Sequence, residues 1–248
     1  PAMHAEVEAA DFEFRTWRRA PVGEAADPTD ISDMMDWTRR AVFEPCPAYA
    51  ADILDEIGRM PTDAVLMIDV LFGAALGAEA SGIPFALLSP HVSIKTLPGM
   101  PPATSGLGQP KTPEERAEVE AASAALAGGL NASLPILNRA RAELGLPILA
   151  DVMDLFDRAD RLLLATSQTF DFQADSLPDN FRYIGPLLDV PSWSKSSQES
   201  WQAPWPARSD RPRALIACST GAQGQRDLVQ RVIDAVGTVE IDAVVTTG

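Results

Sequence analysis

The feature that most constrains the fold is a strand, a helix and a second strand in close succession over residues 64–89. Residues 64–69 form a short, unbroken apolar run that ends in an acid, small residues fill 71–81, and residues 85–89 are apolar again. Short apolar runs joined by a crossover helix are typical of parallel strands that are buried on both faces. The sequence therefore predicts an open α/β sheet.

Two patterns lie upstream of this unit. Two phenylalanines two positions apart predict a half-buried strand over 11–17. Residues 30–60 are mostly helical in character, and Pro45 and Pro47 should divide them into two helices, because proline removes a backbone donor and clashes with the preceding turn.

Downstream of the unit, a proline-rich loop over 90–113 leads into a predicted helix over 114–144, which Gly145 should end. Apolar runs over 161–166 and 181–184 then predict two more strands of the same sheet. A loop as long as 90–113 is usually either disordered or functional.

The C-terminal part of the chain starts a new structural unit. Residues 191–212 are rich in Ser, Trp and Pro and lack periodicity, which indicates a linker. A fresh strand, helix and strand follow it, at 213–218, 225–236 and 241–247. The predicted organisation is an N-terminal domain over 1–188, a linker over 189–212 and the start of a second domain over 213–248.

Composition and charge limit the classes of partner that the chain is expected to bind. The chain has 248 residues and a formal charge of −15, from 35 acids against 20 bases, which argues against nucleic acids and anionic membranes as partners. No apolar run is long enough to span a membrane, and no signal peptide is visible. Two scattered cysteines, Cys46 and Cys218, fit buried thiols in a reducing compartment, so we expect a cytoplasmic protein.

Asp69 is the strongest candidate for chemistry. It ends an apolar strand and precedes a helix, which should place it at the carboxyl edge of the sheet, where ligands of open α/β sheets bind. We expect it there to be open to a cleft and to orient a neighbouring imidazole as a base. The alternative is a helix N-cap, since an aspartate just before a helix satisfies free amides.

Two further places could contribute. His91, just past the next strand, could bind a substrate hydroxyl or act as a base, or it could be an ordinary hydrogen-bonding loop residue. Ser219 and Thr220 lie in a strand-to-helix turn that could offer donors to a phosphate, although the turn matches no dinucleotide or P-loop motif and an ordinary capped turn is the alternative. The few histidines and cysteines argue against a protein-built zinc site, so no metal is expected.

These motifs, in this order, resemble the GT-B glycosyltransferases, most closely the bacterial antibiotic and macrolide types. The stretch TDAVLMIDVLFGAALGAEASGIPFALLSPH resembles the strand–helix–strand of their N-terminal domain. RPRALIACSTGAQGQRDLVQRVIDAVGTVEIDAVVTTG is similar to the opening of their C-terminal domain. The resemblance implies a Rossmann-like, parallel-sheet N-terminal domain without its first strand, followed by the first βαβ unit of a second Rossmann-like domain.

The resemblance also implies an activity. It is the inverting transfer of a sugar from a nucleoside-diphosphate co-substrate to a hydroxyl of a hydrophobic natural-product acceptor, with no cofactor. In these enzymes an aspartate at a strand end holds a histidine that deprotonates the acceptor. The site residues carried over are Asp69 as the catalytic aspartate that holds the histidine, Phe72, His91 and Met100 for acceptor binding, and Ser219 and Thr220 for donor binding.

The sequence also departs from the family pattern. The first strand with its histidine and most of the donor domain are not found within residues 1–248, so we expect a piece of a longer enzyme that is inactive alone. Two alternatives stay open: a non-catalytic α/β protein that binds a small molecule, and a nucleotide-sugar epimerase, which shares the two-domain architecture. The oligomeric state is left open.

Overall fold

The computed structural model describes residues 3–22, 31–103, 105–188, 210–217 and 226–246. By its internal contacts the chain divides into two compact units. The larger unit comprises Thr16–Val22 and Thr38–Leu188, and the other comprises Pro1–Arg15, Gly23–Trp37 and Asp189–Gly248. Each unit is considered by itself below.

A four-stranded parallel sheet forms the centre of the larger unit. Its strands follow one another in chain order, β1 (Val65–Ile68), β2 (Phe85–Ser89), β3 (Arg161–Leu164) and β4 (Phe181–Tyr183). The register pairs Ile68 with Leu88 and Leu88 with Leu163. Because all four strands run the same way, the residues that follow β1 and β2 lie side by side at one edge of the sheet.

Seven α-helices are described along the chain. They are α1 (His4–Ala9), α2 (Ile31–Thr38), α3 (Cys46–Arg59), α4 (Phe72–Ser81), α5 (Pro113–Asn131), α6 (Leu134–Glu143) and α7 (Arg226–Val236). A π-helical turn covers Arg39–Phe43, and a 3-10 helix covers Val152–Arg158. Thr112 and Glu115 close a capping box at the start of α5, and the glycine after α6, Gly145, has a φ of 72°.

The core lies on one face of this sheet. Phe85, Leu87 and Ser89 of β2 are buried, whereas the alternate residues Ala86 and Leu88 are only half-buried. The buried face packs against α3, α4, α6 and the 3-10 helix in one apolar cluster. The cluster is built from large side chains, including Phe43, Phe72, Leu76, Leu87, Leu137, Leu155, Phe156 and Leu162.

The other unit contains its own sheet. Strands β5 (Arg213–Ala217) and β6 (Asp242–Thr246) pair in parallel, with α7 between them in the sequence. In the described part of the chain these strands pair only with each other. Among the described residues a second sheet thus begins at Arg213, while the predicted second domain from 213 stays a prediction and the linker over 189–212 lies almost entirely outside the described residues.

Most predicted elements appear within a few residues of their expected bounds, and one expectation is wrong. Residues 11–17 form no strand, and Phe12 is largely exposed. The segment follows α1 and opens with Asp11 at a φ of 61°, so it leaves the helix through a left-handed turn instead of joining a ladder. Two alternating aromatic residues were too short a pattern to specify a strand.

None of the described helices has both the length and the apolar content needed to cross a bilayer.

Helices α3 and α4 approach each other closely because two glycines of α4 face α3. A Cβ at Gly73 would stand 2.5 Å from the carbonyl oxygen of Cys46, and a Cβ at Gly77 would stand 2.8 Å from that of Ala50. Backbone atoms cannot move aside as a flexible side chain can. The small residues of α4 therefore serve the contact with α3.

A single carboxylate fixes the segment Thr16–Val22 to α3. Asp52 Oδ2 accepts hydrogen bonds from the backbone N–H groups of Arg18, Arg19 and Ala20 at 2.9, 2.9 and 3.1 Å. The guanidinium of Arg19 donates to Oδ1 at 2.9 Å. Burial alone raises the pKa of Asp52, but these donors outweigh it and lower the pKa to about 2.

The glycine contact generates the first prediction. Gly73→Ala should lower the free energy of unfolding by about 2–3 kcal/mol, because the new methyl group overlaps the backbone of α3. The control is Gly58→Ala in α3, where an added Cβ meets nothing within 4 Å, and where alanine should stabilise by about 1 kcal/mol. Equal effects of the two substitutions in urea unfolding would contradict the packing described.

The contact of Asp52 with the segment Thr16–Val22 generates the second prediction. Asp52→Asn should destabilise the protein by about 3 kcal/mol at neutral pH, because three backbone N–H groups and the Arg19 guanidinium lose a charged, buried acceptor. Since the folded-state pKa is lowered, the contribution of Asp52 is complete above about pH 4. It should disappear as the pH falls toward the folded pKa of about 2.

The measurement is the stability difference between wild type and Asp52→Asn at several pH values. Asp55→Asn is the matched control, because Asp55 also bonds Arg19 but is well exposed; it should change stability by less than about 1 kcal/mol. A difference that stays constant down to strongly acidic pH would refute the assignment.

Candidate active site at the carboxyl edge of the first sheet

Asp69 lies directly after β1 at the carboxyl edge of the sheet. Its backbone N–H donates to the Leu88 carbonyl at 3.0 Å, which continues the pairing of β1 with β2 by one step. The side chain is 1% exposed. The expected place at the sheet edge is therefore found, but the expectation of a carboxylate open to a cleft is wrong, since the alternation of the strand turns it to the buried face.

The alternative role of Asp69 as a helix cap is also wrong. Helix α4 begins at Phe72, its N-cap residue is Leu71, and no side chain makes a capping hydrogen bond there. Asp69 is two residues too early to serve the first turn of the helix. Its carboxylate is thus not accounted for by local helix geometry.

The ring of His91 lies next to the Asp69 carboxylate. Its Nε2 is 3.6 Å from Asp69 Oδ1, and the side chain is 42% exposed, so the ring stands between the buried acid and solvent. The other ring nitrogen, Nδ1, is 2.8 Å from the Val92 carbonyl oxygen and 3.1 Å from Ser89 Oγ. The structure therefore brings together two residues predicted to belong to the site, on two neighbouring strand ends.

The electrostatics of Asp69 follow from its burial. Burial raises the pKa of the carboxyl above its ordinary value, and the Ser89 hydroxyl, the His91 ring and the amides of Asp69 and Val70 offset part of that rise. The hydroxyl lies near enough to favour the ionised form. Even so, nothing in the described chain makes a hydrogen bond of normal geometry to either carboxylate oxygen.

Ser89 is the residue of this site that the sequence patterns did not single out. It ends β2, is fully buried, and donates its hydroxyl to the His91 carbonyl at 3.3 Å. One signal could have found it: Asp69 and Ser89 are the polar residues that end two apolar runs of the same βαβ unit. The order Ser89, His91, Asp69 is that of a hydrolytic triad, but a hydroxyl without exposure cannot attack a substrate.

Phe72 and Met100 are also brought together, but within the core. Their side chains are 4% and 5% exposed, and both belong to the apolar cluster on the buried face. Phe72 packs edge-on against Phe43 and Phe156, with ring centroids 5.4 and 6.1 Å apart. Their acceptor-binding role remains a prediction, since little of either side chain reaches the surface.

The predicted donor-binding residues, Ser219 and Thr220, lie outside the described residues, as does Cys218. Cys46 is fully buried, and burial raises the pKa of its thiol to about 12, which suits a structural cysteine. Among the residues that the structure describes, no group of three or more His, Cys, Asp or Glu side chains is arranged to hold a metal ion.

Chemically, the edge of the sheet offers one buried acid and one half-exposed imidazole. An acid in this position can hold an imidazole in one orientation and stabilise its charged form. With the hydroxyl of Ser89 engaged and buried, any hydroxyl that gives up a proton here must come from a bound molecule.

The fold is that of the GT-B glycosyltransferases, over about half of their length. The glycosyltransferase of kitacinnamycin superimposes with a TM-score of 0.63 at 18% identity, covering 99% of this chain and 55% of that one. A calicheamicin glycosyltransferase gives a TM-score of 0.55 at 16% identity, covering 99% and 54%. The predicted fold class is confirmed by these two structures.

A curated sequence is also similar to this chain. The chain is 24% identical over 229 residues to 4'-demethylrebeccamycin synthase of Lentzea aerocolonigenes, covering 89% of this chain and 52% of that one. No family model matches the chain. The chain thus spans about half the length of the curated relative it matches.

Proposed function

We propose that this chain is the acceptor-binding part of an enzyme that transfers a sugar from a nucleoside-diphosphate donor to a hydroxyl of a hydrophobic natural product. The observation that carries the proposal is Asp69, a buried acid beside an imidazole at the carboxyl edge of a GT-B-type sheet. Its burial, and the lack of a hydrogen bond to either carboxylate oxygen from the described residues, fit a group kept for chemistry.

In the proposed reaction, Asp69 holds an imidazole base, which the family resemblance assigns to a histidine outside residues 1–248. The base takes the proton of the acceptor hydroxyl while that oxygen attacks the anomeric carbon from the side opposite the leaving group. A new carbon–oxygen bond forms, the bond to the diphosphate breaks, and the configuration inverts. Backbone amides and the hydroxyls of Ser219 and Thr220 stabilise the departing diphosphate, so this mechanism needs no metal.

The acceptor is proposed to be apolar. Residues 72–100 carry few charges and include the apolar side chains of Phe72, Ile94, Leu97 and Met100. The names of the relatives refer to kitacinnamycin, calicheamicin and rebeccamycin, which supports a natural product as the acceptor class. Phe72 and Met100 are buried, so contact with an acceptor would require the packing around both side chains to change.

The parts of the chain take separate roles in this proposal. Residues 1–188 bind the acceptor, and residues 213–248 begin the donor-binding domain. The 248 residues by themselves are inactive, because Asp69 acts through a base and the donor needs further protein contacts. A protein that only binds a small molecule is the competing outcome, and the burial of Asp69 favours testing it directly.

The third prediction concerns catalysis in the complete reading frame that contains these residues. Asp69→Asn should lower kcat by roughly 100-fold or more, because a general base loses its orienting acid. KM for the acceptor should change little, since Asp69 is covered. The control is Asp63→Asn, an exposed carboxylate just before the same strand, which should leave kcat unchanged.

The assay supplies several nucleoside-diphosphate sugars and a panel of hydrophobic natural-product acceptors with free hydroxyls, and it follows the glycosylated product by mass spectrometry. Wild-type kcat in Asp69→Asn would reject the assigned role of Asp69. Acceptor binding without transfer from any donor would establish the binding protein instead. Transfer by the 248-residue chain alone would overturn the proposal that it is inactive.

A further inference from the structure

We infer that Asp69 and His91 hold one proton between them, so that the protonation of the buried carboxylate depends on the His91 ring. The inference rests on the arrangement of three groups at the sheet edge, the Asp69 carboxylate, the Ser89 hydroxyl and the His91 ring. It does not depend on sugar transfer, and it concerns a contact made entirely within these 248 residues.

The hydrogen bonds fix one hydrogen on the ring. His91 Nδ1 is 2.8 Å from the Val92 carbonyl oxygen, and a carbonyl oxygen can only accept, so Nδ1 must carry a hydrogen. The Ser89 hydroxyl, at 3.1 Å from the same nitrogen, can accept from it as well. The contact with the Val92 carbonyl therefore requires the Nδ1–H form of the ring.

The hydrogen on Nδ1 determines whether Nε2 faces Asp69 with a lone pair or with a second hydrogen. A neutral ring with its hydrogen on Nδ1 has a lone pair on Nε2, and Nε2 is 3.6 Å from Asp69 Oδ1. A lone pair facing an ionised, buried carboxylate is repulsive. The contact becomes favourable when a second proton lies between them, either on Nε2 as an imidazolium or on the carboxyl as an acid.

Few groups in the described chain face the pair of Asp69 and His91. From β2 the Ser89 hydroxyl faces Asp69, from β1 and the turn after it come the amides of Asp69 and Val70, and from the loop comes His91. In the described chain His91 is the one other titratable side chain that acts on the carboxylate. No arginine or lysine there competes for the buried acid, so the state of the pair depends on the imidazole.

Loss of the shared proton should separate the two groups. The carboxylate is held in the strand ladder through its own backbone, whereas the ring is half-exposed and sits on a loop. We therefore expect the ring to move outward when the pair is deprotonated, which uncovers Asp69. In the proposed enzyme this movement would free the carboxylate for another base, and that consequence alone rests on the proposed function.

The fourth prediction tests the pair by NMR on the 248-residue chain, with no donor or acceptor present. Spectra of the ring nitrogens should show His91 with its hydrogen on Nδ1, and the Asp69 carboxyl carbon should titrate together with that ring. In His91→Gln the carboxyl titration should move to higher pH, because an attractive positive charge is lost. Asp69→Asn identifies the carboxyl signal and should abolish the coupled step of the ring.

The matched control is His4→Gln. His4 pairs with Glu8 at 2.9 Å on the surface of α1, so its removal deletes the other histidine–carboxylate pair and should leave the Asp69 titration unchanged. A hydrogen on Nε2 instead of Nδ1, or an Asp69 titration that is the same with and without His91, overturns the inference. If Asp69→Asn does not fold, His91→Gln against His4→Gln still decides the question.

Discussion

The parallel pairing of β1 with β2 is the constraint on which the rest of the structure depends. It places the residues after both strands at one edge and turns every second side chain to the same face. Asp69 is consequently carried to the buried face, in line with Met67, and the turn after Ser89 brings His91 over it. A shift of one residue in register would expose Asp69 and bury Leu66 in its place.

The sheet is held in this arrangement by helix contacts that leave little room. Gly73 and Gly77 allow α4 to lie against the backbone of α3, and Asp52 on α3 fixes the segment Thr16–Val22 through three amides. Because interiors pack at crystal-like density, an approach this close limits how far α4 can shift. The turn over 69–71, which joins β1 to α4, is therefore anchored on both sides.

The sequence predicted the parts of the fold that have a periodic signal. Apolar runs identified β1 to β6, and Gly145 marked the end of α6 as a left-handed glycine should. The same rules failed over 11–17, where two aromatic residues gave a pattern without a neighbouring strand to satisfy it. The 3-10 helix Val152–Arg158 was missed because one short turn carries no repeat.

The sequence predicted where the candidate site lies but not the burial and contacts of its side chains. A strand end followed by a helix was enough to place Asp69 at the carboxyl edge, and His91 could be placed after the next strand. That the ring covers the acid, however, is a tertiary contact between two loops and has no local signature. For the same reason Phe72 and Met100 could not be distinguished as core or pocket residues, since apolar character is common to both.

The state of Asp69 also bears on which chemistry the edge can support. Burying an ionised carboxylate without hydrogen bonds costs on the order of a few kcal/mol, and no helix cap is gained in return. A triad would explain the histidine, but the buried hydroxyl of Ser89 leaves it without a nucleophile. In the proposed function the acid acts through an imidazole, and such a pair acts on a hydroxyl that a substrate brings. Transfer to an acceptor hydroxyl would need that chemistry, whereas simple binding of an apolar molecule would not.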